Sequence, residues 1–245
     1  AKSGTPFLVL ESAKREYRRL LRDPEFRDDL QIFTVGDSNL APLRHNPFVV
    51  LPHVSALVHI DHLKSIFNAS FSLYGPMPYL LEQCLLNIYK KKGWNLTVGK
   101  HHVVEINGIQ DCRKHWHIFP TIRDLLTEIK LVVDNAGYRG ELRDNIQSAL
   151  VARLESLAVG GKGFIFNNNE CLDLEALLQS KVVFELESLA DDDDKAFFVG
   201  LMLALISEHR QVAARQSKLR QDDELLHVLV TVSYTHLRAH ETEAD

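Results

Sequence analysis

The chain reads as an α/β protein, a parallel sheet carrying a large helical insertion. Three observations predict this. Four short runs, Pro6 to Leu10, Leu30 to Val35, Lys181 to Leu186 and His227 to Val232, are rich in Val, Ile, Leu or Phe, and the last three are unbroken by Pro or Gly. Such runs suit strands buried on both faces better than half-solvated hairpins. About 145 residues with helical periodicity separate the second run from the third, too many for a simple crossover and too ordered for a loop. Finally, 245 residues that are 45% hydrophobic and 25% charged can bury one large core or two small ones, which excludes disorder and collagen.

Each element has its own local reason. The first run feeds a charged helical stretch, as a buried parallel strand commonly does. Leu57, Ile60, Leu63, Phe67 and Phe71 are spaced by three or four, which predicts a helix from about Ser55 to Tyr74 with these residues on one face. Gly75-Pro76-Met77-Pro78 ends it, because proline lacks the amide donor and disfavours helix in the residue before it. A second helix runs from near Tyr79 to Lys92, with Gly93 as a left-handed cap and three lysines suited to the negative helix end. Pro120 and Thr121 open a third helix to Val133. A fourth, Arg143 to Leu157, has Ile146, Leu150, Leu154 and Leu157 as its stripe, and Gly160-Gly161-Lys162-Gly163 then reads as a turn. Asp191 to Asp194 precede a helix whose apolar face is Phe197, Phe198, Leu201, Met202, Leu205 and Ile206. Carboxylates at a helix start are favoured by free amides and partial positive charge there, so this run reads as capping and solvation; a divalent-metal site is the lesser alternative, since consecutive residues cannot all face one ion.

Charge and cysteine content narrow the function classes. Net charge is −5, which argues against a whole-surface basic footprint for nucleic acid but leaves room for a local basic channel. No stretch approaches the roughly 18 to 20 uninterrupted apolar residues of a membrane helix, and the first residues pass from a short apolar run straight into charge. The expectation is a soluble, cytoplasmic protein with no membrane span. Cys84, Cys112 and Cys171 are odd in number and widely spaced, so reduced thiols are expected in place of a disulfide framework.

Few residue clusters suggest chemistry. Cys112-Arg113-Lys114-His115-Trp116-His117, with His101 and His102 upstream, contains metal-ligand residue types, but zinc sites pair ligands from two loops and no second knuckle is recognisable. A solvated hairpin is the simpler reading; a metal-dependent nuclease using His101, His115 and His117 is the rival. Cys84 sits among Leu81, Leu85 and Leu86 on a helix that reads as core, and no G-x-S-x-G elbow occurs. A phosphate-binding loop needs glycines, a lysine and a hydroxyl in the pattern G-x-x-x-x-G-K-[ST], which the sequence lacks.

Several segments together resemble HerA/FtsK-type P-loop ATPases, specifically the HerA-like ATP-binding proteins. They are PFLVLESAKREYRRL (6–20), FTVGDSNLAPLRHNPF (33–48), HIDHLKSIFNASFSLYGPMPYLLEQCLLNIYKKKGW (59–94), FPTIRDLL (119–126), NIQSALVARLESLAVGGKG (145–163) and VVFELESLADDDDKAFFVGLMLALISEHR (182–210). Their joint order, more than any one of them, carries the likeness. It implies a partial RecA-like parallel sheet: residues 1–50 as the start of an ATPase core, 51–163 as a helical insertion, and 164–230 as the return to the core up to a Walker B-like strand. Residues 231–245, ending TVSYTHLRAHETEAD with the strand's last residues, resemble a translated cloning sequence instead.

In such a family the Walker A loop precedes a strand like Pro6 to Leu10, and acidic residues follow one like His227 to Val230. The expectation is therefore an internal piece of a helicase-like or DNA-translocating motor, inactive by itself. ATP and Mg²⁺ would serve the intact parent and bind this piece weakly at best. A homo-hexamer, DNA and a partner nuclease are the implied partners. By resemblance, Glu11 takes a catalytic position at the strand end near the nucleotide, and Lys14 and Glu16 take the charged positions beyond it; the ordinary alternative is a capped, solvated first helical turn. Arg18, Arg19 and Arg22 suit a ring interface or an exposed helix face. The rival function is a non-catalytic interaction module whose helical region does the work.

Overall fold

A computed structural model describes residues 5–12, 15–37, 39, 43–103, 112–220 and 229–233. The chain divides into two compact units. The first, residues 1–43, 173–190 and 226–245, holds a four-stranded sheet, and the second, residues 44–172 and 191–225, is helical.

The sheet unit is parallel throughout. Its strands are β1 (Phe7–Glu11), β2 (Leu30–Thr34), β5 (Lys181–Glu185) and β6 (Leu229–Ser233), in the order β2-β5-β1-β6. All four expected strands are present, shifted by one or two residues at their ends. Register pairs Val9 with Val183 and Ile32 with Val183, so these residues share one face. Phe26 and Leu30 pack there with Phe7, Tyr17 and Leu20. A 3₁₀ helix, Glu16–Arg22, brings Tyr17 and Leu20. On the other face Phe33 stacks on Phe184 at 5.4 Å between ring centroids. Leu8, Leu10, Val182 and Val183 are fully buried, as continuous apolar strands require. A short helix, α6 (Leu174–Leu178), precedes β5 and is capped by the Asp173 side chain.

The helical unit contains α1 (Ala56–Phe71), α2 (Met77–Lys91), α3 (Ile122–Asn135), α4 (Gly140–Glu155), α5 (Gly160–Phe166) and α7 (Asp192–Arg220). A small antiparallel pair, β3 (Trp94–Asn95) and β4 (Lys100–His101), follows α2. The core centres on Phe197, whose ring meets Phe67 at 4.9 Å, Phe166 at 5.2 Å and Phe71 at 5.7 Å. Each buried phenyl contributes roughly 1.5–3 kcal/mol by removal from water. A side chain at Gly200 would begin only 3.2 Å from Ile66, so glycine lets α7 lie close to α1. Thr121 and Asp124 form a reciprocal capping box that starts α3, and Gly93 ends α2 at φ +91°.

Several expectations need correction. Leu57 is more than a third exposed, while Ile60, Leu63, Phe67 and Phe71 are buried; the stripe of α1 is narrower than its spacing suggested. Gly160-Gly161-Lys162-Gly163 opens helix α5 and is not a turn. Gly163 is required because an added side chain would begin 2.3 Å from the Ala158 carbonyl oxygen. Cys112–Ile118 is a 3₁₀ segment kinked at His115, not a hairpin. Asp194 does more than cap: it is buried and bonded to Lys162 at 2.6 Å. Cys171 is disulfide-bonded, against the expectation of reduced thiols, because spacing along the chain does not report proximity in the fold. Cys84 is free and buried; burial, reinforced by the charge of Glu128, pushes its thiol up to about 12 and makes it a poor nucleophile. No helix among the described residues is long and apolar enough to cross a membrane.

Candidate functional site

In open parallel sheets the carboxyl ends of the strands are where ligands are held, because strand-to-helix connections leave a crevice there. Here register sets four polar residues in one row across that edge: Thr34, Glu185, Glu11 and Ser233. Cross-strand partners share a face, so Thr34, Glu185 and Glu11 lie on the side that the 3₁₀ helix covers. Two strands end in the same manner, FLVLE and KVVFE, with a glutamate after an apolar run. That repeated ending was the available signal for Glu185, which the sequence reading missed.

Glu185 is fully buried, and such a carboxylate needs a partner. Arg18 provides it. Its Nε donates to both Glu185 oxygens (2.9 and 3.0 Å) and its Nη2 donates to Glu185 Oε2 at 2.7 Å and to Thr34 Oγ1 at 2.9 Å. This fork ties the 3₁₀ helix to two adjacent strands. The hydrogen bond to Glu185, then its charge, raise the already high Arg18 pKa against the opposing effect of burial. Nearby, Arg15 pairs with Glu187 at 2.7 Å and donates to Ser188 Oγ at 3.1 Å. The backbone closes the edge as well: Val35 N–H donates to the Glu185 carbonyl at 2.9 Å, and Leu186 N–H to the Glu11 carbonyl at 2.8 Å. Gly36 turns the chain away from β2 at φ +101°, where a side chain would crowd Leu189 and the Ser188 carbonyl.

The sequence-derived candidates separate on inspection. Glu11 is buried at the end of β1, directly beside Glu185. Glu16 is the exposed first residue of the 3₁₀ helix. Lys14 lies outside the described residues. Among the basic trio, Arg18 is committed to the strand edge, while Arg19 and Arg22 are exposed. The histidine candidates form no ligand set: among the described residues no group of three His, Cys, Asp or Glu could hold a metal. His101 is buried and hydrogen-bonded, through Nε2 to the Lys92 carbonyl (3.1 Å) and through Nδ1 from the Val103 N–H (3.2 Å). Burial lowers its pKa, opposed by the Lys92 bond and assisted by the charges of His102 and His117.

The donor set decides what the edge can hold. Glu11, Glu185 and Thr34 offer oxygens, while the Arg18 guanidinium is spent on Glu185 and Arg15 on Glu187. A triphosphate needs converging amides and free cations. At this edge Arg18 and Arg15 are thus committed to carboxylates, and in the helical unit Lys162 of the glycine-rich helix is held by Asp194.

The chain is thus an α/β protein with a small parallel sheet, carboxylates at its strand ends and a long helical excursion. One solved structure it is similar to is that of VirB4 of Thermoanaerobacter pseudethanolicus, with a TM-score of 0.54, 18% identity, and coverage of 92% of this chain and 74% of that one. No protein-family model and no curated protein matches the chain.

Proposed function

We propose that the chain is scaffold from the core of a nucleotide-driven motor of the P-loop ATPase kind, with the phosphate grip supplied by sequence other than the residues described. The observation that supports it is the parallel sheet with Glu11 and Glu185 at its carboxyl edge, in a fold similar to VirB4 over most of the chain. In the HerA-like form of this reading the complete motor is a cytoplasmic homo-hexameric ring that moves DNA, uses ATP and Mg²⁺, and works beside a nuclease. Glu11 is its acidic strand-end residue, and Lys14 and Glu16 are charged neighbours of the nucleotide.

Assaying the purified chain for Mg²⁺-dependent ATP hydrolysis is the test. Turnover at background is expected, since phosphoryl transfer rests on a lysine and metal at the phosphates and a positioned water. Saturable hydrolysis would overturn the reading.

A second reading, a protein-interaction module, is favoured by one surface of the helical unit. Tyr74, Tyr79, Leu131 and Leu142 are each well exposed. They border two clefts of about 420 and 280 Å³ around the start of α2. Exposed apolar clusters of this kind mark interaction sites. A source reading frame with no phosphate loop, combined with loss of a partner on changing Leu142→Asp, would select this reading over the motor.

A further inference from the structure

The most deeply buried polar cluster of the helical unit lies where α1, α7 and an irregular strap meet. Residues 45 to 50 of this strap are buried without belonging to a helix or strand, so their backbone groups need partners from elsewhere. The His45 N–H donates to the Ile165 carbonyl at 2.9 Å, and the Asn46 N–H to the Glu170 carbonyl at 2.7 Å. The Phe48 N–H donates to Asn46 Oδ1 at 3.0 Å, and the Tyr89 hydroxyl donates to the Phe48 carbonyl at 2.7 Å. The remaining carbonyl in the middle, Pro47, accepts from His59 Nε2 at 2.9 Å. The other ring nitrogen, His59 Nδ1, lies 3.0 and 3.1 Å from the two oxygens of Glu208. His62 Nδ1 reaches the same carboxylate at 2.7 Å.

Counting donors locates a proton. A carbonyl and a carboxylate only accept, and a neutral imidazole has a single N–H. Serving Pro47 and an ionised Glu208 together requires both ring nitrogens to carry hydrogen, so His59 is an imidazolium paired with a carboxylate. Both side chains are fully buried. We propose that His59 and Glu208 form a proton-operated latch that pins Pro47, and with it the strap 45–50, and that loss of the proton releases one of the two bonds and loosens the strap.

The groups facing the pair leave that proton to it. From the strap, His45 accepts the Leu172 N–H at its Nδ1; burial, then the charge of His59, brings it down to about 3, so it is neutral at ordinary pH. From α2, Tyr89 is raised well above 10 by burial and by Glu208. Glu82 of α2 is occupied by Lys64 of α1 at 2.8 Å. His62 of α1, about a third exposed, shares Glu208, and His209 of α7 adjoins it in sequence.

Burial by itself lowers His59, but the charge and hydrogen bond of Glu208 and the bond to Pro47 outweigh it and raise His59 above 6.5. Burial raises Glu208, and the charges and bonds of His59 and His62 carry it below 4.5. A raised histidine contributes fully below its unfolded value and loses that contribution as pH climbs through its folded one. A depressed carboxylate contributes above its unfolded value and loses that contribution as pH falls through its folded one. The latch is therefore closed at and below the ordinary imidazole range and opens as pH climbs above it.

Amide hydrogen exchange on the whole chain, corrected for intrinsic rates, tests this. Between about pH 6.5 and pH 9.5, protection of residues 45–50 should fall about tenfold or more while β5 keeps its own. Glu208→Gln should abolish that pH dependence and His62→Gln should retain it. Unchanged protection in the natural chain, or the same decline in Glu208→Gln, overturns the latch. Ring nitrogen NMR of the unmodified chain near neutral pH decides independently of how the variants fold: both His59 nitrogens protonated supports it, and a single neutral tautomer refutes it.

Discussion

The sheet unit and the helical unit each bury a carboxylate completely and solve the resulting problem with different cations. Glu185 is met by Arg18, whose guanidinium is a third exposed and holds its proton at any physiological pH. Glu208 is met by His59, an imidazole with no exposure at all, whose proton depends on the carboxylate it serves. The first arrangement is a permanent clamp at the carboxyl edge of the sheet. The second is conditional, and it sits under a strap that has no secondary structure of its own. The choice of cation thus separates a pair whose charge is fixed from one whose proton can leave.

The largest way to break this comparison is to remove the cation on the more buried side. His59→Ala leaves Glu208 and the Pro47 carbonyl without their shared donor and should cost about 3–5 kcal/mol in urea unfolding. A loss below about 1 kcal/mol would mean that His62 alone satisfies Glu208. Arg18→Ala should cost less, about 2–3 kcal/mol, since water can reach the vacated side. Arg18→Lys should recover part of that, because charge returns without the planar fork onto Glu185 and Thr34; full recovery would show that the fork geometry is immaterial. The smallest change lies outside both pairs. Thr121→Ala removes one half of the capping box of α3 and should cost about 1 kcal/mol with no pH dependence beyond that of the natural chain.

The sheet was legible because strands buried on both faces leave unbroken apolar runs, as in Phe7–Glu11 and Lys181–Glu185. The helices were legible through their periodicity, and their ends through Gly93 and through Pro120 and Thr121, while the reciprocal part of Asp124 in the cap was not. What escaped was set by long-range contact. Arg18 and Glu185 are 167 positions apart and His59 and Glu208 are 149 apart, so no local pattern joins them. The glycine-rich helix escaped for a related reason: its glycines lower helix propensity, while close packing of Gly163 on Ala158 makes glycine necessary there. The buried strap escaped because burial of an irregular segment depends on side chains, His59, Tyr89 and Asn46, that satisfy its backbone.

The central proposal is that this chain is scaffold from a motor whose phosphate grip is encoded by other sequence. Reading the source DNA upstream of the codon for Phe7 tests it most directly. A glycine-rich loop of the form G-x-x-x-x-G-K-[ST], in frame and within about 35 residues as one crossover helix allows, is the predicted result. An open frame that begins with its own start signal there and contains no such loop would contradict the account.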